Sequence, residues 1–169
     1  MKQAGENMDP ATTRVDRALH FLRIAYEKQM EGDLQTAIQL YKASIAEHPT
    51  AEAHTFLAWT YSFLGRFDEA IEECKRAIEV DPDFGNPYND IGSYLVHLDK
   101  PEEAIPWLEK AKKAPRYEPR HFPYLNLGRI YLKMGRVAEA AREFEQAEFF
   151  KSVAEDSEAA EGDSDATLH

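Results

Sequence analysis

The sequence predicts an all-α solenoid of four helical hairpins. Three observations predict it: a repeat of small residues, a turn residue in each copy, and no run of alternating polarity. An alanine recurs along the chain at spacings of 33, 34 and 36 residues, and a bulky side chain follows each one four residues later. The pairs are Ala37/Tyr41, Ala70/Cys74, Ala104/Leu108 and Ala140/Phe144. A period in this range is typical of arrays in which one helical hairpin stacks on the next.

The turn residues repeat at the same period. Five positions before each alanine the chain has Gly32, Gly65, Asp99 or Gly135. Seven positions after it comes a second small residue: Ser44, Ala77, Ala111 or Ala147. No segment alternates apolar and polar residues over the length of a β-strand, so no strand is expected.

Proline, glycine and capping residues set the expected ends of the eight helices. Asp9-Pro10 is typical of a helix start, and Pro49 and Pro82 follow the ends of the second and fourth helices. The predicted helices cover residues 10–30, 34–47, 52–64, 67–80, 85–98, 101–113, 120–134 and 137–153.

The last repeat shows the clearest motif. Its first helix carries Tyr124, Leu127, Gly128 and Tyr131, and Ala140 and Phe144 follow in its second helix. This pattern resembles the tetratricopeptide repeat (TPR) signature. The resemblance implies a right-handed α-solenoid of four tetratricopeptide helical hairpins, within a domain covering residues 9–154. The repeats are then about 18–50, 51–84, 85–120 and 121–154.

Composition limits the partners and the compartment. The 169-residue chain has a formal net charge of −11, and such a chain is repelled by phosphate backbones, so no nucleic-acid partner is expected. No apolar run approaches the roughly 18–20 residues of a membrane span, and the first ten residues lack the apolar stretch of a secretory signal. The single cysteine, Cys74, lies at a core position of the repeat and forms no intramolecular disulfide. We expect a cytoplasmic protein with no membrane contact.

Both ends of the chain differ in composition from the repeats. Residues 1–8 are expected to be a flexible leader. Residues 155–169 combine acidic residues with small or polar ones, which bury too little apolar area to offset the entropy of ordering. We therefore predict an acidic disordered tail there, which solubilises the chain or attracts a basic partner.

The sequence offers little for catalysis or for holding a cofactor. It has no glycine-rich phosphate loop, no HExxH motif and no nucleophile with an identifiable base, so the chain is predicted not to be an enzyme. The best metal candidates are His48 and His54 with Glu47 and Glu52. Pro49 interrupts the helix between the two histidines, so no fixed spacing supports zinc binding.

The faces that join successive repeats change along the chain. Residues one and eight positions after each signature alanine should face the next repeat; the pairs are Ile38/Ile45, Ile71/Ile78, Ile105/Lys112 and Ala141/Glu148. The apolar pair is complete at the first two junctions, weakens at the third and is gone in the fourth repeat. A polar outer face is typical of a terminal, capping repeat.

The resemblance also implies where a partner binds. In TPR proteins the first helix of each hairpin lines a concave groove that accepts extended peptides or helices. Helical spacing places ten candidate residues in that groove: Tyr26, Thr55, Trp59, Phe63, Asn86, Asn89, Ser93, His97, Arg129 and Lys133. Tyr26, Trp59 and Phe63 are surplus to the core signature, and aromatic and arginine residues dominate binding energy at interfaces. Asn89 is expected to bond the backbone of a bound peptide.

These observations favour a non-catalytic interaction scaffold that binds a partner peptide or helix in the groove. The alternative is a bacterial secretion-type TPR chaperone for an apolar client protein, because residues 118–123 look similar to a junction in such chaperones. Members that clamp the carboxylate tails of Hsp70 or Hsp90 use cations that this chain lacks at the corresponding positions. Phe149, Phe150 and Val153 are expected either to fold back onto the last hairpin or to form a weak homodimer.

Overall fold

Eight helices make up the fold of residues 10–165. The computed structural model describes the backbone of residues 10–165 and the side chains of residues 13–157. The helices are α1 (Pro10–Met30), α2 (Leu34–Glu47), α3 (Ala51–Phe63), α4 (Phe67–Val80), α5 (Asn86–His97), α6 (Pro101–Lys113), α7 (Phe122–Lys133) and α8 (Val137–Asp165). Residues 10–165 contain no named strand, only an isolated bridge between Phe84 and Arg116. The predicted all-α fold of four hairpins is confirmed. The predicted leader, residues 1–8, lies outside the described residues.

The chain divides into two compact units, Met1–Asp81 and Pro82–His169. The first unit contains the hairpins α1–α2 and α3–α4, and α2 packs on α3. The second contains the hairpins α5–α6 and α7–α8, and α6 packs on α7. Each unit is thus a stack of two hairpins. Each hairpin covers its apolar face by packing against the other.

The first helices of neighbouring hairpins lie closer together than the second helices. In the first unit α1 contacts α3, and in the second α5 contacts α7. Within the described residues, the backbones of α2 and α4, and those of α6 and α8, do not approach each other in this way. Each unit therefore curves towards its first helices. We call the surface formed by α1 and α3, and that formed by α5 and α7, the inner-helix face of the respective unit.

The turns inside the hairpins adopt the conformation that the repeat predicts. Gly32, Gly65 and Gly135 have φ angles of 84°, 71° and 74°, in the left-handed region that favours glycine. Asp99 takes the same place in the third hairpin with a φ of 58°. Aspartate tolerates this region better than most residues, so the third repeat keeps the turn without glycine.

Small residues bring the two helices of each hairpin together. Ala37, Ala70 and Ala104 have no solvent-exposed surface, and Ala140 is 1% exposed. A β-carbon built on Gly92 would lie 2.6 Å from side-chain atoms of Leu108. The signature alanines and glycines are thus required by close packing between helices.

Polar contacts support the junction between the third and fourth hairpins. Lys112, which replaces the isoleucine of the earlier junctions, lies 2.8 Å from Glu143 on α8 and 3.1 Å from Glu109 on its own helix. Its ammonium group also lies 4.7 Å from the centre of the Tyr124 ring. The weakening predicted for this junction is therefore a replacement of apolar packing by a half-buried ion pair.

The segment between α6 and α7 is held against the start of α5. Tyr117 is 3% exposed, and the backbone N–H of Gly85 donates to the carbonyl of Arg116 over 2.8 Å. Arg120 donates to the carbonyls of Ala114 and Pro115. The peptide bond between residues 118 and 119 is cis. This longest loop is thus an ordered part of the second unit.

The end of α8 differs from the expectation of disorder. The helix continues to Asp165, so residues 155–165 are helical in the structure, and residues 166–169 lie outside the described part. Alanine and glutamate, which are frequent in this segment, have high helix propensities. Adding residues to an existing helix also avoids the cost of nucleation, which composition alone does not show.

The apolar residues near the end of α8 are split between packing and exposure. Phe150 stacks on Tyr124 of α7 with a centroid separation of 5.0 Å, so it folds back onto the last hairpin. Phe149 and Val153 remain 58% and 46% exposed. At the other predicted junction positions of α8, Ala141 and Glu148 are both exposed.

No helix in the described part of the chain is both long and apolar enough to cross a membrane.

Candidate partner-binding site

The inner-helix face of the first unit carries a row of aromatic rings. Tyr26 of α1 meets Phe56 of α3 edge-on, with their ring centroids 5.5 Å apart. Phe56 lies 6.4 Å from Trp59, which lies 5.1 Å from Phe63. Tyr26, Trp59 and Phe63 are between 36% and 54% exposed. We call these four residues the aromatic row.

Buried contacts behind the aromatic row hold it in place. Tyr41 of α2 stacks on Phe56 at 6.0 Å, and its hydroxyl donates to Gln29 Oε1 over 2.6 Å. Thr60 donates to the same oxygen. Thr55, predicted to line the groove, is instead 8% exposed, and its hydroxyl donates to the carbonyl of Ala51. The exposed rings therefore lie on a base of ordered side chains.

The second unit has a cavity of about 140 Å³ on its inner-helix face. We call it the cleft. It is lined by Ser93, Val96, His97, Pro101, Asn126, Arg129, Ile130 and Lys133. Four of the predicted groove residues, namely Ser93, His97, Arg129 and Lys133, thus line one cavity, although the two on α5 lie more than 30 positions before the two on α7.

The cleft combines an apolar floor with positive charge. Val96, Pro101 and Ile130 supply carbon surface. Arg129 and Lys133, one helical turn apart on α7, are both exposed, and neither forms an ion pair within residues 13–157. His97 Nδ1 lies 2.9 Å from the carbonyl oxygen of Ser93. Unpaired cations in a chain with a net charge of −11 make the cleft suited to an anionic group.

Asn86 and Asn89 are engaged within the second unit. Asn126 Nδ2 donates to Asn89 Oδ1 over 3.0 Å, which links α7 to α5, and Asn89 is only 9% exposed. Asn86 Nδ2 lies 3.5 Å from the carbonyl oxygen of Glu118. Both asparagines therefore position α5 in this structure, where the sequence suggested that Asn89 meets a peptide backbone.

Asp90, which follows Asn89 in α5, has a carboxyl group with a strongly shifted pKa. Burial raises the pKa of its carboxyl group to about 7, and a hydrogen bond from Asn89 acts more weakly in the opposite direction. Burial, and to a smaller extent the charge of Asp90, raises the pKa of the Tyr117 hydroxyl. The carboxyl group of Asp90 therefore interacts electrostatically with the loop that contains Tyr117.

This perturbation predicts a pH-dependent stability. Because the folded-state pKa of Asp90 lies above that of the unfolded chain, its contribution to stability is present below about pH 4 and is lost as pH rises towards about 7. Asp90→Asn should therefore stabilise the second unit by about 1–2 kcal/mol at pH 8.5 and leave it nearly unchanged at pH 4. Urea unfolding at both pH values, followed through Trp107 with Trp59 replaced by phenylalanine, measures the difference. An equal effect at both pH values would contradict this assignment.

The weak metal candidates are dispersed. His54 is buried, and its Nδ1 lies 2.7 Å from Glu73 Oε2, whereas His48 is exposed. Glu47 pairs with Arg17 of α1 over 2.7 Å. Among the described residues, no group of three or more histidine, cysteine, aspartate or glutamate side chains is placed to hold a metal ion.

Part of the site was not predicted from the sequence. Phe56 completes the aromatic row and Asn126 bonds Asn89 at the cleft, yet neither was among the groove candidates. Phe56 adjoins Leu57 of the core signature, so helical spacing places it between core and surface. Pro101 starts α6 and reaches the cleft from outside the inner helices, so no spacing rule for α5 or α7 indicates it.

Family comparisons match tetratricopeptide repeats along most of the chain. Models of the tetratricopeptide repeat match residues 18–51, 51–84, and 86–116 with 123–148, which together cover most of the chain. The chain belongs to the tetratricopeptide repeat family. TPR proteins are interaction modules. Membership of this family supports the general function predicted from the sequence, which is protein–protein interaction.

Individual relatives show the same fold. The chain is 30% identical over 112 residues to the type IV pilus assembly protein PilF of Pseudomonas aeruginosa, and the match covers 66% of this chain and 44% of that protein. The solved structure of P. aeruginosa PilF has a TM-score of 0.75 and 24% identity, with 82% of this chain and 63% of that chain covered. MamA has a TM-score of 0.71 and 20% identity, with 82% and 81% covered. The chain spans less than half the length of the curated relatives it matches.

A further solved structure contains a bound peptide. It is the second TPR of Spaghetti (RPAP3) bound to the HSP90 peptide SRMEEVD, with a TM-score of 0.59 and 21% identity. The similarity covers 63% of this chain and 99% of that chain. At this identity the comparison shows the fold alone.

Proposed function

We propose that this chain is a non-catalytic scaffold that binds a segment of a partner protein on the inner-helix faces of its two units. The observation that carries the proposal is the exposed aromatic row of the first unit. Tyr26, Trp59 and Phe63 remain accessible although the core signature of each repeat is already filled. Large aromatic residues on a concave, ordered surface are the usual centres of binding energy.

The cleft of the second unit supports the same function through different chemistry. Its apolar floor fits one side chain, and Arg129 and Lys133 stand at its rim without acidic partners in residues 13–157. A partner with apolar and acidic side chains satisfies such a surface. The chaperone role has no supporting contact of its own in the described residues, so the scaffold is the function that we propose.

Single substitutions on the two inner-helix faces test this function. Trp59→Ala and Arg129→Glu should each weaken binding of a purified partner about tenfold to a hundredfold, because each removes a central contact without entering the core. Titration calorimetry with a partner recovered by affinity purification gives the affinities. Val80→Ala, which truncates an exposed apolar residue of α4, is the matched control and should bind as the wild type does.

Circular dichroism must show both variants folded before their affinities are compared. If folded Trp59→Ala and Arg129→Glu proteins bind every recovered partner with wild-type affinity, the inner-helix faces are not the binding surface.

A further inference from the structure

The end of α8 carries a second unpartnered surface. Glu145, Phe149, Val153 and Asp156 recur at intervals of four, four and three residues, which places them within an arc of about 80° on the helix. All four are exposed. Neither Glu145 nor Asp156 forms an ion pair within residues 13–157. We call these four residues the α8 stripe.

The α8 stripe and the cleft are complementary in chemistry. The stripe presents two apolar side chains between two carboxylates, whereas the cleft presents an apolar floor beside two cations. A phenylalanine over Val96, Pro101 and Ile130 buries carbon surface on both sides. The carboxylates of the stripe then lie near Arg129 and Lys133, which have no acidic partner in the described part of their own chain.

The stripe of one molecule cannot enter its own cleft. Lys133 ends α7 and lies next to the turn that starts α8 at Val137. Val153 is 16 residues further along a continuous helix, roughly 24 Å from that start, and none of the four stripe residues lines the cleft of its own chain. Only the cleft of another molecule is within reach.

We propose that the α8 stripe of one copy docks in the cleft of a second copy, so that this chain self-associates head to tail. The inference rests on the proposed function of the cleft as a binding surface. The contact is heterologous, because it joins two different patches, and each added molecule leaves one cleft and one stripe free. The assembly therefore grows with protein concentration. The net charge of −11 opposes it only at low ionic strength, since charges beyond about 10 Å are screened at 0.1 M salt.

Sedimentation velocity of the full-length chain over a wide concentration series tests the proposal. We expect the average mass to rise with concentration and the association to weaken in high salt. Phe149→Glu, which disables the stripe, and the double variant Arg129→Glu/Lys133→Glu, which reverses the cleft, should each weaken association about tenfold or more. Val80→Glu, at an exposed apolar position of α4 in the first unit, is the matched control and should associate as the wild type does.

Mixing the two disabled proteins separates head-to-tail docking from a symmetric dimer. One protein keeps an intact stripe and the other an intact cleft, so the mixture should form one-to-one pairs and nothing larger. A wild-type chain that stays monomeric at every concentration, or a mixture that forms no pairs, would overturn the proposal. Neither result affects the partner-binding test. There, the proposed function would fail if Trp59→Ala and Arg129→Glu bound the partner with unchanged affinity.

Discussion

Replacing His54 with phenylalanine is expected to destabilise the first unit by about 2–4 kcal/mol, although the same position holds an aromatic residue in every other repeat. Those residues are Phe21, Tyr88 and Tyr124. In the second repeat, His54 instead lies 2.7 Å from Glu73, and both side chains are less than 10% exposed. Phenylalanine offers no donor, so Glu73 Oε2 loses its buried partner while Arg76 holds only Oε1.

The double variant His54→Phe/Glu73→Leu separates this loss from simple crowding. It carries the Phe and Leu pair that the first repeat has at Phe21 and Leu40, and it removes the carboxylate that would otherwise stay buried at position 73. We expect it to recover most of the stability that the single variant loses, which a double-mutant cycle measures. The readout is urea unfolding through Trp59 fluorescence, with Trp107 replaced by phenylalanine so that only the first unit reports. A double variant as unstable as the single one would show that the pair with Glu73 is not the cause.

Gly85→Ala should destabilise the second unit by about 2–3 kcal/mol. The added β-carbon would lie 2.4 Å from the β-carbon of Tyr117 and 2.9 Å from that of Ala114. No rotamer change relieves a contact between two β-carbons, so the loop must move away from α5. That movement also breaks the bond from Gly85 N–H to the carbonyl of Arg116. Gly85 has a φ of −80°, so backbone strain plays no part.

Gly128→Ala is the matched comparison for this prediction. Its β-carbon would meet ring atoms of Phe144 at 2.5 Å, but Phe144 is only partly buried and its ring can turn. The smaller loss expected there, about 1 kcal/mol, tests whether rigidity of the neighbour decides the cost. Urea unfolding followed through Trp107, with Trp59 replaced by phenylalanine, compares both variants with the parent. Equal losses in the two variants would contradict this explanation.

The repeat pattern allowed most of the fold to be predicted from the sequence. Gly65 and Asp99 mark turns because few other residues adopt the left-handed conformation, and Gly92 marks a helix crossing because Leu108 occupies the space of a side chain. Such constraints are local and recur in each copy. The bounds of α2, α4 and α6 therefore agree with the prediction residue for residue.

The features of the fold and site that could not be predicted from the sequence depend on contacts between segments that are distant along the chain. Nothing near His54 indicates that Glu73 is its partner, and nothing near Gly85 indicates that Tyr117 covers it. The engagement of Asn89 by Asn126 likewise needs the relative rotation of α5 and α7. Helical spacing places Arg129 and Lys133 on the same side of α7, and both line the cleft, but it does not indicate which exposed side chains stay unpaired.

Photo-crosslinking in cells tests the central claim most directly. A photoreactive phenylalanine analogue is placed on the inner-helix faces at Phe63 or Leu132, and on second helices at Lys75 or Lys110; all four positions are exposed. Binding on the inner-helix faces predicts crosslinks to a shared partner from Phe63 and Leu132 and none from Lys75 or Lys110. Crosslinks to that partner from the second helices alone would contradict it.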